Sequence, residues 1–454
     1  MHYNYLSCPP HEPAWDWRKL VHVCQRWRKV IFDSPHRLDL RILCTYQTPV
    51  RKNLSIWPAL PIVLDLCSLR LLSPQYEDNL ITALEHRDRV YSITLFTTGS
   101  QLAKLAAVMQ GPFPVLTNLS MHSSDEYLPD LTAEFLGGSA PNLQRIALGR
   151  IPFPALPTLL LSTSELVTLN LFDLPAPGYI SPERMVMCLA ALPRLETFII
   201  KFEPSSPRPD RIRPPPVERH VLPALSFFDF QGAFEYLEAL AAQIHSPRLE
   251  WVSIKYWEPP DDFQVMQLSG FIDRSIGPEL TPSRHANIHF DCDRLIVTLS
   301  REYPHASYPD CNRGTVETSI SFDAFNWHRP DIDWMLSQCS VALCTVAHLE
   351  IKVELYKADQ SDDPYDIEWL HILRHFPALQ TLYVSLELAA PVLEDITAEM
   401  VAEMLPSLGL ICSAGELASS FEKIVAIRRF SDHPITVVET RDEFNERLKS
   451  YISI

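Results

Sequence analysis

The stretch LVTLNLFDL, Leu166 to Leu174, places leucine at 166, 169, 171 and 174. Leu169 and Leu171 alternate with Thr168, Asn170 and Phe172, the period-two pattern of a strand with one face buried. The same phrase, Leu-x-x-apolar-x-apolar, occurs as LTNLSM from Leu116, LQRIAL from Leu143, LETFII from Leu195, LSFFDF from Leu225 and LEWVSI from Leu249. Including Leu166, the leading residues lie 27, 23, 29, 30 and 24 positions apart. The phrase returns as HLEIKV around Leu349 and LQTLYV from Leu379, 30 positions apart. Proline stands two residues before Leu143, Leu195, Leu225, Leu249 and Leu379. There it ends whatever helix precedes it and favours extended chain.

Between the phrases lie helical patterns: SQLAKLAAVMQ from Ser100, SPERMVMCLAAL from Ser181, AFEYLEALAAQI from Ala233 and DIEWLHILRHF from Asp366. Ser181-Pro182 is a helix start, a capping serine followed by proline at the first helical position. One strand and one helix every 23–30 residues is the leucine-rich-repeat period, and LVTLNLFDL comes close to its consensus. A unit this small cannot bury its own apolar face and must stack on the next. The expected fold is therefore α/β: a leucine-rich-repeat-like solenoid over residues 61–414. Its parallel, curved sheet would line the concave side, with helices outside. The six phrases from Leu116 to Leu249 are expected as neighbouring parallel strands, with Leu169 in the core. The stretch from about 260 to 345 is expected to keep the same stacking with poorer periodicity.

The interruptions carry less. Glu203 to Val217 holds six prolines in 15 residues and reads as a loop between repeats, with a polyproline ligand as the other reading. KADQSDDPYD, Lys357 to Asp366, is an acidic insertion whose aspartate spacing fits no calcium loop. From residue 415 the chain reads as a helix–strand cap. Phe421, Ile424, Val425 and Ile427 give a helix an apolar face, Arg428 and Arg429 suit its C-terminal dipole, and HPITVV is a short strand.

Near the other end stands KLVHVCQRWRKVIFDSPHRLDL, Lys19 to Leu40. It reads as one amphipathic helix. Leu20, Val23, Cys24, Trp27, Val30 and Ile31 form a continuous stripe, and Ser34-Pro35 ends it. RLDLRIL and WPALPIVLDL then read as the first strands. Residues 17–52 carry nine Lys/Arg against two Asp, a local +7. With −17 overall, the rest of the chain carries about −24.

LVHVCQRWRKVIFDSPHRLDL resembles the second half of an F-box, whose final helix carries a Val-Cys-x-x-Trp core. ILCTYQTPVRKNLSIWPALPIVLDL, the irregular leucine-rich repeats and the terminal FEKIVAIRRFSDHPITV together resemble the F-box proteins expanded in mushroom-forming fungi. The resemblance spans most of the chain, with a partial F-box-like segment at 15–60. It implies a substrate receptor of an SCF-type cullin–RING ubiquitin ligase. The F-box would dock on the ligase's adaptor subunit through Leu20, Val23, Cys24, Trp27 and Ile31, and the solenoid would hold a target protein. One departure stands out. Met1–Ala14 lacks the Leu-Pro-x-Glu turn and apolar helix with which an F-box begins, so adaptor binding does not carry over whole. The first F-box helix is the expected missing partner of the stripe. The stripe either packs on the chain's own first strands near Leu40 and Leu64 as a cap, or stays open as half of an F-box. In both cases Trp27 is expected to be mostly buried. The alternative function is a free-standing interaction solenoid without ligase coupling.

Other classes find little footing. With 12 glycines and no GxGxxG or GxxxxGK[ST], no phosphate-cradling loop is apparent. GxSxG, HExxH and paired-cysteine zinc spacing are also missing. The reading is a non-catalytic protein with no cofactor and no metal. His371 and His375 in HILRH, and His285, His289, Asp291 and Asp293 in HANIHFDCD, are the candidate ligand clusters weighed against that reading. The acidic body disfavours nucleic acid, whose binding rests on neutralising phosphates. No run of about 18 apolar residues marks a membrane span. Ten cysteines without a CxxC pair suggest a reducing compartment, cytosol or nucleus.

Overall fold

A computed structural model describes residues 21–33, 40–44, 50–56, 59–67, 73–125, 131–207, 209, 219–256, 267–275, 284–291, 294–300, 317–323, 336, 343–353, 369–385, 404–413, 435–438, 440, 443–444 and 447–448. The chain divides into two compact units, Met1–Pro207 and Arg208–Ile454. Among the described residues the fold is mixed α/β, with largely parallel sheet and no closed barrel.

The first unit holds β1 (Ile42–Cys44), β2 (Ile62–Cys67), β3 (Val90–Thr97), β4 (Asn118–Ser123), β5 (Arg145–Gly149), β6 (Thr168–Leu174) and β7 (Thr197–Phe202). They pair in chain order, every neighbour parallel. The register puts Leu64, Ile93, Leu119, Ile146, Leu169 and Phe198 in one row across six strands. Leu66, Leu95, Met121, Leu148, Leu171 and Ile200 form the next row. All twelve are buried. Parallel strands need a crossover long enough to return the chain to the same end. Four helices help supply it: α2 (Val50–Ile56), α3 (Pro74–Leu84), α4 (Gly99–Val108) and α6 (Pro182–Ala190), with α1 (Gln25–Asp33) ahead of them and the single turn α5 (Leu156–Leu160) between. Ser181 caps α6 as expected, its hydroxyl accepting from the Arg184 N–H at 3.4 Å.

The recurring proline has a more specific task than ending helices. The Leu143 N–H donates to the Ala140 carbonyl at 3.2 Å, and Leu195 to Leu192 at 3.2 Å. In the second unit Leu379 donates to Phe376 at 3.1 Å. Each is a four-residue turn with Pro141, Pro193 or Pro377 at its second position, where a fixed φ suits the turn. The next two N–H groups then share one carbonyl of the preceding strand. Gln144 and Arg145 donate to Thr117, Glu196 and Thr197 to Val167, and Gln380 and Thr381 to Ala347. The same turn opens β6, where the Leu166 N–H donates to Thr163 and Val167 and Thr168 donate to Gln144, with Ser164 in the proline's place. Pro-x-Leu thus favours a turn that the strand spacing also makes without it.

The second unit keeps this pattern at its two ends. β9 (Phe227–Gly232) and β11 (Trp251–Tyr256) are parallel neighbours. So are β15 (His348–Val353), β16 (Thr381–Val384), β17 (Leu410–Ser413) and β18 (Thr436–Val438). The short β8 (His220–Val221) and β10 (Ile244–His245) pair separately. Helices α7 (Phe234–Ala241), α8 (Gln267–Ser275) and α9 (Trp369–Leu373) belong to this unit. Between its ends the expectation of continued parallel stacking fails. β12 (His285–Asp291), β13 (Arg294–Ser300) and β14 (Glu317–Asp323) are inserted in reverse order, and β13 is antiparallel to both neighbours. Only two residues separate Asp291 from Arg294, too few for a parallel crossover but enough for a hairpin.

HPITVV supplies β18 as expected. The helix expected at 421–429 lies outside the described residues, as do the loops at 210–217 and 357–366. Over the end of the sheet, Phe444 and Leu448 cover Tyr383, Leu410, Cys412 and Val438.

Candidate functional site

The N-terminal segment departs from its reading in two ways. The described helix starts at Gln25, and Val21–Val23 form a turn. The stripe is therefore broken, because residues before Gln25 do not follow the 3.6-residue period. Trp27, expected to be mostly buried, is 48% exposed, with Val23 at 61% and Val30 at 55%. Cys24 is exposed too. Ile31 is buried, and so is Val21, which lies outside the expected stripe. Leu20 lies outside the described residues. Arg28 holds the turn, its Nε donating to the Val21 carbonyl at 3.1 Å. The segment thus anchors itself through Val21 and Ile31 and presents Val23, Cys24, Trp27 and Val30 outward. Three of the seven large apolar side chains exposed among the described residues sit within these eight positions. Apolar surface gathered in this way marks a contact surface, while scattered exposed residues do not. Its flank is cationic: Arg26, Arg28 and Lys29 are all exposed.

Helix α9 stops at Leu373, and His375 lies in the following turn, its N–H donating to the Ile372 carbonyl. HANIHFDCD becomes β12, but Asp293 lies outside the described residues. Among the described residues no three His, Cys, Asp or Glu groups stand close enough to hold a metal.

What β12 does contribute is a histidine pair. His285 and His348 stand opposite one another in register on β12 and β15, their rings stacked 4.6 Å apart at 21°. Both are buried. His348 Nδ1 shares a hydrogen bond of 2.8 Å with Thr381 Oγ1 on the next strand. Burial, then the neighbouring His348 and Arg284, push His285 down to about 3. Burial and Arg284 push His348 down to about 4. Both rings are neutral near pH 7. Beside them Asn287 Nδ2 donates to Glu350 Oε2 at 3.2 Å. Alternation marked His289 and the aspartates. It gave no warning that His285 and His348, 63 positions apart, share a row.

Sequence reasoning also missed Glu238. This buried carboxylate on α7 accepts from the Gln267 N–H at 3.1 Å and the Leu268 N–H at 2.8 Å, closing the N-terminus of α8. Burial raises its pKa, and the two N–H donors oppose that shift. The site is structural: both oxygens are engaged by backbone.

The sheet faces opposite the two buried rows of the first unit carry Ser92, Thr94, Asn118, Ser120, Asn170 and Thr197, all partly exposed. These six polar side chains lie on four strands, β3, β4, β6 and β7. Among the described residues, no helix is long and apolar enough to cross a membrane. No known family model matches the chain, and no curated protein matches it.

Proposed function

We propose that this chain is a substrate receptor of the F-box type, docking on the adaptor subunit of an SCF cullin–RING ubiquitin ligase through its N-terminal helix. The observation that carries the reading is the outward apolar face of Val23, Cys24, Trp27 and Val30 on a segment of local charge +7. A cationic apolar helix suits an acidic, groove-bearing partner. The second part of the proposal is a leucine-rich-repeat-like solenoid whose sheet face holds the protein to be ubiquitinated. The turn-strand-helix unit of 23–30 residues and the in-order parallel pairing of the first unit support it. The receptor acts without catalysis of its own and works in the cytosol or nucleus.

The anchoring of Val21 and Ile31 on the chain itself favours a second reading, in which the segment is a cap and the protein is a free-standing interaction module. Co-purification with the adaptor separates the two. The chain would be tested as it stands and with a Leu-Pro-x-Glu helix fused ahead of Met1. The expected outcome is weak capture for the chain, clear capture for the fusion, and loss in the fusion carrying Trp27→Ala. Because Trp27 is half exposed, that substitution leaves folding intact. No capture by either form would leave only the interaction module.

A further inference from the structure

Apart from the N-terminal face, a second pair of apolar side chains stands together at the surface. Leu161 is 56% exposed and Met187 63%, two of the seven large apolar side chains exposed among the described residues. Both line a groove of about 430 Å3 between α5 and α6. Pro157, Thr158 and Leu161 stand on one bank, Met187 and Cys188 on the other. Polar groups in the groove are committed to the chain itself. Ser181 Oγ accepts from the Arg184 N–H, and the Cys188 thiol donates to the Pro157 carbonyl at 3.8 Å. A small-molecule site needs several polar groups converging on its ligand. This groove offers apolar surface instead, the mark of a protein contact.

Charge says which protein. Beside α1 the flank is cationic only, so two copies of that helix would set Arg26, Arg28 and Lys29 against their own kind. The α5–α6 groove carries both signs at each end. Glu183 and Arg184 lie in the first turn of α6. Glu165 and Arg194 follow the C-terminal ends of α5 and α6 and pair with each other at the surface. The two helices lead into the parallel neighbours β6 and β7 and run the same way. A twofold axis through the groove reverses that direction. It sets the Glu183–Arg184 end of one copy over the Glu165–Arg194 end of the other, base to acid and acid to base. It also lays the protruding Leu161 and Met187 of each copy on the other's groove. Knob, hole and both charges in one patch make it self-complementary, as an isologous contact requires.

We propose that the α5–α6 face joins two copies of this chain, with Met187 of each entering the other's groove beside Pro157 and Thr158. A patch confined to two short helices is small, so the dimer forms weakly and its population depends on concentration. The contact is independent of the adaptor and target readings.

Sedimentation velocity of the full chain, from about 1 to about 100 µM, tests it across the range of a weak dimer. A reductant keeps the exposed Cys24 and Cys344 from linking copies. The expected result is a monomer–dimer equilibrium without larger species. Met187→Asp and Leu161→Asp change exposed positions, which folding tolerates. Each should weaken association about tenfold or more, tenfold being about 1.4 kcal/mol. Arg184→Glu faces the partner's Glu165 with a second acid, and Glu165→Arg faces the partner's Arg184 with a second base. Each alone should dimerise more weakly than the unmodified chain. An equimolar mixture of the two should recover its association, because every acid then meets a base. Glu165→Arg gives up only the exposed pair with Arg194, which is worth little. If an aspartate variant loses its fold by circular dichroism, the charge mixture decides alone. A chain that stays monomeric, larger assemblies, full association in Met187→Asp, or a mixture no stronger than its components each overturns the proposal. Association kept by Met187→Asp and lost in Trp27→Ala would place the contact on α1 and overturn it as well.

Discussion

The first unit and the middle of the second solve the same packing problem differently. In β1–β7 each strand pairs in parallel with the next along the chain, through a crossover. In β12–β14 the chain folds back on itself as antiparallel hairpins. The sequence differs in the same places. The Pro-x-Leu turn opens β5 and β7, while β13 follows β12 after only two residues, Cys292 and Asp293. Where the turn is present, the next strand takes its first hydrogen bonds from the preceding one. Between β12 and β13 the two-residue connection decides the direction.

The comparison breaks most easily in the first unit's core. Leu169 is fully buried, between Ile146 and Phe198 in its row. Leu169→Ala should cost about 2–5 kcal/mol in denaturant unfolding. Hydrogen exchange should rise in β5 and β7 as well as β6, since each strand is supported by its neighbours. An unchanged unfolding midpoint would mean that the row does not hold the unit together.

Acid should distinguish the two units next. His285 and His348 have folded pKa values of about 3 and 4, below the ordinary histidine value of 6.5. The unfolded chain therefore binds these protons first. The stability tied to the neutral pair is complete above pH 6.5 and is lost as pH falls towards 4 and then 3. The loss should be on the order of a few kcal/mol by pH 4. His285→Gln with His348→Gln should flatten this part of the stability–pH curve for the second unit. If the double variant kept the full acid loss, the pair would not be its source.

Glu238 sharpens the comparison from the helix side. Glu238→Leu leaves the Gln267 and Leu268 N–H groups without their carboxylate and should cost about 1–3 kcal/mol per donor left buried. Glu238→Gln keeps one acceptor and should cost less. Its raised pKa also gives the opposite sign to the histidine pair. The part of stability tied to its protonation is present at low pH and lost as pH rises through the folded pKa. Equal unfolding midpoints for the Leu and Gln variants would rule out the helix-closing role.

The smallest thermodynamic effect belongs to the exposed helix. Trp27→Ala should change stability by no more than about 0.5 kcal/mol, the usual range for surface positions. A loss of several kcal/mol would place Trp27 in the folded core and remove it as a docking residue.

Sequence determined the strands that carry Leu169, Ile146 and Phe198, because alternation is local and each phrase states its own buried face. It also fixed the start of α6, where Ser181 and Pro182 act on their own turn. Tertiary structure alone decided that β14, β13 and β12 stand in reverse order in the sheet, since strand order depends on partners that alternation does not encode. It alone turned Trp27 outward, because an amphipathic stripe says which residues share a side and not whether that side meets the chain or the solvent. It alone brought His285 to His348 and Glu238 to α8. Each of these contacts joins residues distant in sequence, and their chemistry exists only once the register of intervening strands and helices has been set.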